Sequence, residues 1–524
     1  MSPTDAGQDA PVFVTELLVN ALNQDAGRPF LQMLDGETFT VGHFRDEISR
    51  YAQALAAAGV RRGVRVALLS ANRVEVFYAI NAAQVLEGIY VPLHPMAALD
   101  DHHFIIADGE VDVLIYDANR YGHRAADLAA RAPGLTVLSF GPGSIGQDLC
   151  ALAAGMAAAP LVAPRVAPED VMRISYSGGT TGRPKSIGAV QRSALASMTI
   201  TLSEWEWPAR PRTLACAPLS HAGGSLFLPT LLKNGAMLVL PSFEPVAVMQ
   251  AIQDHQINCT LMVPTMIYAL LDHPRFDEFD LSSLETVFYG GSSISPVRLK
   301  EAIERIGPVF CQFYGQAEAP MAVAMLRKAD HDVGDLRRLA SCGRPSPWVR
   351  VELLDSENRP VSDGEPGEIC VRGPLVMTGY RNNPALNVEV FPGGSLHTRH
   401  VALRDPGGFL RIVDRKKDMI VTGGFNVYPR EVEDVLSGHP AVAQAAVIGV
   451  PHEKWGEAVK AVIVLRDNAQ VSAEQLTALV AERKGSFQAP KTIDFVTEIP
   501  LTAVGKPDKK ALRARYRDAT SASR

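Results

Sequence analysis

Several things are scarce in this chain of 524 residues, and each scarcity excludes something. Its six cysteines, at positions 150, 216, 259, 311, 342 and 370, are far apart, with no C-x-x-C and no histidine at zinc-ligand spacing, so neither a disulfide framework nor a structural zinc site is expected. No apolar run approaches the roughly 20 residues of a membrane span; LMVPTMIYALL at 261–271 is among the longest. The opening MSPTDAGQDA has no charged-then-apolar leader, and the closing SASR carries no recognisable address. A net charge of −6 provides no basic field for nucleic acid or anionic lipid. A reducing, cytoplasmic setting without a nucleic-acid partner is therefore expected.

What is present is a globular composition, 47% hydrophobic and 21% charged. From Thr40, Phe44, Ile48, Tyr51 and Leu55 recur at helical spacing up to Gly59. A strand-like VRVALL (64–69), a helix-like 74–85 and strand-like runs at 88–93 and 111–117 come next. This alternation predicts a wound α/β sheet with parallel strands. Near residue 340 the texture turns β-rich, with runs at 349–355, 367–373 and 409–414 between Gly/Pro turns. After the RKKDM cluster comes a short α+β pattern, in which Pro429 suits a first helical position and Ser472 with Gln475 makes a capping box. The expected organisation is therefore an N-terminal domain of residues 1–415, containing a β subdomain at about 340–415, and a small C-terminal α+β domain of residues 416–524.

The densest signal is YSGGTTGRPK at 176–185. Three glycines, two threonines, an arginine and a lysine in ten residues exceed what a turn needs. They suit a loop, between a strand ending near Ser175 and a following helix, whose backbone N–H groups approach phosphate oxygens. The Walker pattern fails, because Arg183 and Pro184 separate Gly182 from Lys185.

The stretch resembles the phosphate loop of the adenylate-forming superfamily, which includes acyl-CoA synthetases. Further motifs of that family appear in order: PLSHAGG at 218–224, YGGSSIS at 289–295, FYGQAEAP at 313–320, GEICVRG at 367–373, IVDRKKDMIVTGGFNVYPREVE at 412–433 and PLTAVGK at 500–506. GGFNVYP is most similar to bacterial fatty-acid and aryl acid:CoA ligases. The resemblance implies ATP, Mg²⁺ and coenzyme A as reaction partners and a two-step ligase reaction through an acyl adenylate. It also implies roles. Ser177, Gly178, Gly179, Thr180, Thr181, Gly182 and Lys185 would hold phosphates, with Thr180 and Glu318 holding Mg²⁺. Tyr314, Gly315, Gln316, Gly290, Gly291 and Ser292 would surround adenine, Arg415 would contact the ribose, and Lys506 would enter the active site for adenylation. Lys417 would be the hinge on which the C-terminal domain rotates, and Gly423 and Gly424 would line the path of the coenzyme A thiol. No carrier domain is apparent after residue 515, so coenzyme A is the simpler acceptor, with an acyl-AMP ligase feeding a separate carrier protein as the alternative.

Three departures stand out. Gly178 occupies the family's usual serine position in the loop, and Ala317 replaces a threonine. At LHTRHVALRD the family's threonine, glycine and ribose-binding aspartate are Thr398, Arg399 and His400. An imidazole offers one acceptor where a carboxylate accepts from both hydroxyls, so His400 raises the alternative of a weakened enzyme that acts by binding. By family position the acyl pocket draws on His221, Gly223, Gly224, Met266, Gln316 and Met321, without lysine, arginine or carboxylate. The small run 222–224 leaves room, and an apolar medium-chain, branched or aromatic acid is expected. Oligomeric state stays open, a homodimer included.

Overall fold

The computed structural model describes residues 11–177, 184–415, 418–422, 425–452, 455–502 and 506–521, with side chains described for all but 414, 415, 425, 426 and 517–521. The alternation near the N-terminus folds as its periodicity dictates. Thr40 caps the helix Val41–Ala57 by accepting a hydrogen bond from the His43 N–H. Gly59, at φ +93°, then turns the chain toward the strand Arg65–Leu69. Helix Val74–Val85, strand Ile89–Pro92, helix Leu99–Asp108 and strand Val113–Asp117 succeed it.

These strands belong to a seven-stranded sheet in which Val113–Asp117, Arg65–Leu69, Ile89–Pro92 and Val171–Ser177 lie side by side in that order, all parallel. Lys185–Val190 closes its edge, antiparallel to Val171–Ser177. Here the structure corrects the expectation from sequence: the glycine-rich loop leads into this strand, and the helix Gln191–Glu204 comes only after it. The run KSIGAV can pair along the open edge of Val171–Ser177, and that ladder satisfies backbone groups earlier than a helix would.

A nine-stranded sheet lies beyond, with Arg212–Ala215, Cys259–Met262, Thr286–Tyr289 and Phe310–Gln316 as parallel neighbours. One apolar core joins the two sheets, holding Val66, Leu68 and Tyr90 of the first with Leu31, Ala215 and Phe288 of the second. Parallel strands covered on both faces read as near-continuous apolar runs, and these do.

The β-rich stretch is a four-stranded antiparallel sheet of Arg350–Leu354, Gly367–Arg372, Leu396–Arg404 and Leu410–Arg415. The C-terminal part is a five-stranded sheet built on the long hairpin Val442–His452 and Gly456–Leu465. It packs against helix Pro429–Ser437, which has proline at its start, and helix Ala473–Lys484, whose capping box from Ser472 and Gln475 is formed. The whole is a mixed α/β protein with a large N-terminal and a small C-terminal domain. No helix among the described residues is long and apolar enough to cross a membrane.

Candidate active site

Ser177 and Lys185 are direct register partners, so the glycine-rich loop leaves and re-enters the sheet at one point. Gly178, Gly179, Thr180, Thr181 and Gly182 lie outside the described residues. At the loop's foot the Lys185 ammonium sits 5.2 Å from the centre of the Tyr380 ring. The Tyr380 hydroxyl donates to Glu318 Oε1 at 2.6 Å. Burial, and then the Glu318 carboxylate, push the Tyr380 phenol well above its ordinary pKa, so it stays a donor. Burial and the nearby Arg399 lower the Lys185 pKa, against the opposing pull of Glu318.

Glu318 owes its position to a tight hairpin. Gln316 pairs with Ala319, which leaves Ala317 and Glu318 as the two turn residues between Phe310–Gln316 and Ala319–Leu326. Gly315 is required there, because a Cβ would lie 2.2 Å from the Met321 nitrogen, and Met321 itself holds a left-handed φ of +59°. Among the described residues no group of three His, Cys, Asp or Glu side chains could hold a metal. Glu318 is nonetheless a buried carboxylate with one oxygen bonded to Tyr380, and a carboxylate oxygen is a hard donor of the kind Mg²⁺ takes, so the residue present fits that ion.

Tyr314 is buried in Phe310–Gln316, and its hydroxyl lies 2.7 Å from His400 Nδ1. His400 reaches it through a bulge. Between the pairs Glu368↔Val401 and Cys370↔His397 the strand Leu396–Arg404 carries extra residues, Thr398 to His400. Arg399 takes the left-handed conformation the bulge demands, at φ +61°, a position that favours glycine. Its N–H donates to the buried Glu368 carboxylate at 2.8 Å, and its guanidinium pairs with Glu389 at 2.7 Å. The backbone of Arg415 pairs with His400 across the strands, while its side chain is outside the described set.

Gly290, Gly291 and Ser292 come directly after Thr286–Tyr289, whose Tyr289 is the register partner of Gln312. They therefore lie at the same carboxyl end of the sheet as Tyr314, where ligands of open α/β sheets bind. A Cβ on Gly290 would lie 2.5 Å from the Phe313 carbonyl oxygen, and Gly291 has φ +75°, so both glycines answer to the backbone.

On the other side of the cleft, His221 bonds to Ser220 Oγ at 2.9 Å and its ring meets His94 edge-on at 4.6 Å. His221 is solvent-accessible, with protein packed densely around it. That crowding, with His94 and Arg173, pushes its pKa down, so the ring is neutral at pH 7. A Cβ on Gly223 would lie 2.2 Å from the Ala217 carbonyl oxygen and one on Gly224 2.1 Å from that of Leu219. Close approach of the backbone thus accounts for both glycines, in place of the room for a tail that the sequence implied. Met266 is half-buried on helix Pro264–Leu271. Arg173, which sequence reasoning passed over, is a cation on the same side; the signal was a charge between the buried Met172 and Ile174.

Lys506 closes a tight turn, its N–H bonded to Thr502 Oγ1 at 3.2 Å and its carbonyl accepting from the Thr502 N–H at 2.7 Å. No ion pair joins it to Glu318 among the described residues. The C-terminal domain touches the N-terminal one where Arg466 pairs with Asp272 at 3.0 Å and where Arg430 donates to the Ile294 carbonyl. Lys417, Gly423 and Gly424 are outside the described residues.

The model of the AMP-binding enzymes matches residues 18–381, and that of the AMP-binding enzyme C-terminal domain matches 431–506. The chain belongs to the AMP-binding enzyme family. Among its relatives is the medium/long-chain-fatty-acid–CoA ligase FadD8 of Mycobacterium tuberculosis, 49% identical over 97% of this chain and 90% of the relative. Of solved structures, the amide bond synthetase McbA from Marinactinospora thermotolerans matches at 35% identity and TM-score 0.87, over 95% of this chain and 99% of its own. The anthranilate CoA ligase AuaEII, solved with anthranoyl-AMP, matches at 25% and TM-score 0.89, over 98% and 99%. As an AMP-binding enzyme, the chain carries its Lys185, Tyr380, Glu318, Tyr314 and His400 contacts within or beside the matched N-terminal region.

Proposed function

We propose that this AMP-binding enzyme is an ATP-dependent acid:CoA ligase. It joins a carboxylic acid to AMP with release of pyrophosphate, then passes the acyl group to the coenzyme A thiol with release of AMP. The observation that carries this reading is the cluster at the loop's foot, where a lysine, a tyrosine and a buried carboxylate stand ready for an anion and its counter-ion. Likeness to FadD8 supports the fatty-acid and coenzyme A parts of it.

The substrate carboxylate, with a reference pKa of about 4.3, is ionised at pH 7, so its attack on the α-phosphorus requires no general base. The barrier lies in bringing two anions together. Lys185 and Lys506 offset that repulsion, and the loop's N–H groups add fixed dipoles. Glu318 and Thr180 would hold Mg²⁺, which when bound supplies positive charge against the phosphates. Tyr380 keeps one Glu318 oxygen occupied and so orients the carboxylate. Tyr314, Gly290, Gly291 and Ser292 form the adenine walls; Arg415 and His400 face the ribose. His221, Met266, Gln316 and Met321 surround an apolar medium-chain, branched or aromatic acyl group. The proposal includes a domain boundary near residue 415, rotation about Lys417, and Gly423 and Gly424 beside the thiol path. A cytoplasmic setting agrees with six free cysteines.

The Tyr314–His400 bond favours a second reading, in which ribose contact is weak and the protein is a slow ligase or a binder. ATP–pyrophosphate exchange over a panel of aliphatic and aryl acids separates the two. Exchange in the native protein, reduced at least a hundredfold by Lys506→Ala, is the expected result. Exchange that appears only with His400→Asp sinks the ligase reading in favour of the second.

A further inference from the structure

The bulge that carries His400 is pinned at each of its residues. The buried Thr398 donates from Oγ1 to the Ile369 carbonyl at 2.7 Å and accepts the His400 N–H at 3.2 Å. Arg399 is held at its N–H by the Glu368 carboxylate and at its guanidinium by Glu389. The imidazole presented by this backbone has two polar atoms, and one of them, Nδ1, lies 2.7 Å from the Tyr314 hydroxyl. Tyr314 is equally fixed, for it is 7% exposed in a core with Ile187, Ala322 and Val371. Both ends of the bond are therefore in place before any nucleotide arrives, and a ligand hydroxyl that sought Nδ1 would have to break it. Through Tyr314 the ring stands at the carboxyl end of the nine-stranded sheet, where open α/β sheets take their ligands.

The consequence is a count of contacts. Whichever partner of the Tyr314 bond donates, the imidazole can offer a ligand at most its other nitrogen, Nε2. That atom is an acceptor if Nδ1 carries the proton and a donor if the phenol gives its own to Nδ1. A ribose presents two hydroxyls, at its 2′ and 3′ positions. A carboxylate at residue 400 could accept from both, whereas this ring serves one, and the second hydroxyl gains nothing from it.

We propose that the enzyme reads a single ribose hydroxyl through His400 and accepts a nucleoside triphosphate that lacks the other. The nucleotide substrate class thus widens to include one of the two monodeoxy forms of ATP. This rests on the reading in which His400 faces the ribose during adenylation.

The test is pyrophosphate exchange with ATP, 2′-deoxyATP and 3′-deoxyATP, using the acid most active in the native protein, in the native enzyme, His400→Ala and His400→Asp. A neutral hydrogen bond corresponds to about twofold to tenfold and one to a carboxylate to about tenfold to a hundredfold. In the native enzyme one analogue should stay within about twofold of ATP in kcat/KM and the other should fall by about twofold to tenfold. His400→Ala should bring both to within about twofold of ATP, and His400→Asp should slow both by at least about tenfold. Each ratio is formed within one protein, so a partial folding defect cancels. A native loss of more than about twofold with each analogue, or native ratios that either substitution leaves unchanged, overturns the inference but not the ligase. Absence of exchange in the native protein overturns the ligase reading. The sugar preference is then read from equilibrium binding of AMP and its 2′- and 3′-deoxy forms to the same three proteins; it stands if the ratios follow the same pattern and falls otherwise.

Discussion

At the Glu318 end of the cleft, side chains are held by side chains: Tyr380 fixes Glu318 at 2.6 Å and His400 meets Tyr314 at 2.7 Å. At the His221 end, where His221 bonds only to its neighbour Ser220 among the described side chains, the tightest packing is of backbone on backbone, since Gly223 and Gly224 give way to the carbonyls of Ala217 and Leu219. The difference teaches where each end tolerates change. A side-chain hydrogen bond can be removed one partner at a time, and its loss is felt in the orientation of one group. A backbone packed against backbone has no spare rotamer, so any added atom moves the chain itself.

Three substitutions or conditions break or sharpen this contrast. The largest effect is expected from Gly223→Ala or Gly224→Ala, whose methyl would overlap a carbonyl oxygen. Overpacking of that kind costs about 1–3 kcal/mol and sometimes more, and thermal unfolding should show a melting point lower by several degrees. An unchanged melting point would mean that the loop has slack and that these glycines serve the cavity after all. Next comes Tyr380→Phe, which removes the donor to Glu318 but little volume. Losing the partner of a buried acceptor costs about 1–3 kcal/mol of stability, and because the freed carboxylate is also misoriented, kcat/KM for ATP should fall roughly tenfold to a hundredfold at a temperature where the variant is still folded. A lower melting point with kcat/KM unchanged in the folded variant would place Tyr380 in the core and not in the site.

The smallest effect is that of acid on the His221 end. Burial, and then His102, depress His94 to about 4, so the native state refuses a proton that the unfolded chain accepts near pH 6.5. Stability from this group is present above about pH 6.5 and is lost as the pH falls toward 4, at up to about 1 kcal/mol per pH unit. Denaturant titrations at several pH values should show that slope, and His94→Asn should flatten it. Tyr380 at the Glu318 end offers no matching control, because burial and the Glu318 carboxylate hold its phenol well above this range.

Much of this was legible in the residues. Thr40, Pro429 and the Ser472–Gln475 pair mark helix starts through bonds spanning three or four residues, and the strands at 65–69, 113–117 and 350–354 arise from local apolar runs. The motifs named Tyr314, Glu318 and His400, and the fold brings Tyr314 to His400. The segment after the glycine-rich loop suggests a helix by local pattern, yet Lys185–Val190 is a strand, and only by virtue of the edge it pairs with. Tyr380 entered the site through a contact made across 62 residues of sequence, which no local pattern encodes, and the Glu389 partner of Arg399 was likewise not legible in its motif.

Local chemistry thus determined which residue types stand ready: a glycine-rich loop, a carboxylate in a two-residue turn, a lysine near the end of the chain. The tertiary structure alone decided what each of them meets. Whether Gly223 makes room or fills a gap depends on where Ala217 lies, and whether Lys185–Val190 is a strand depends on the edge beside it. Helix caps and strand periods act over a few residues, whereas burial and charge pairing depend on distances that only the packed chain defines.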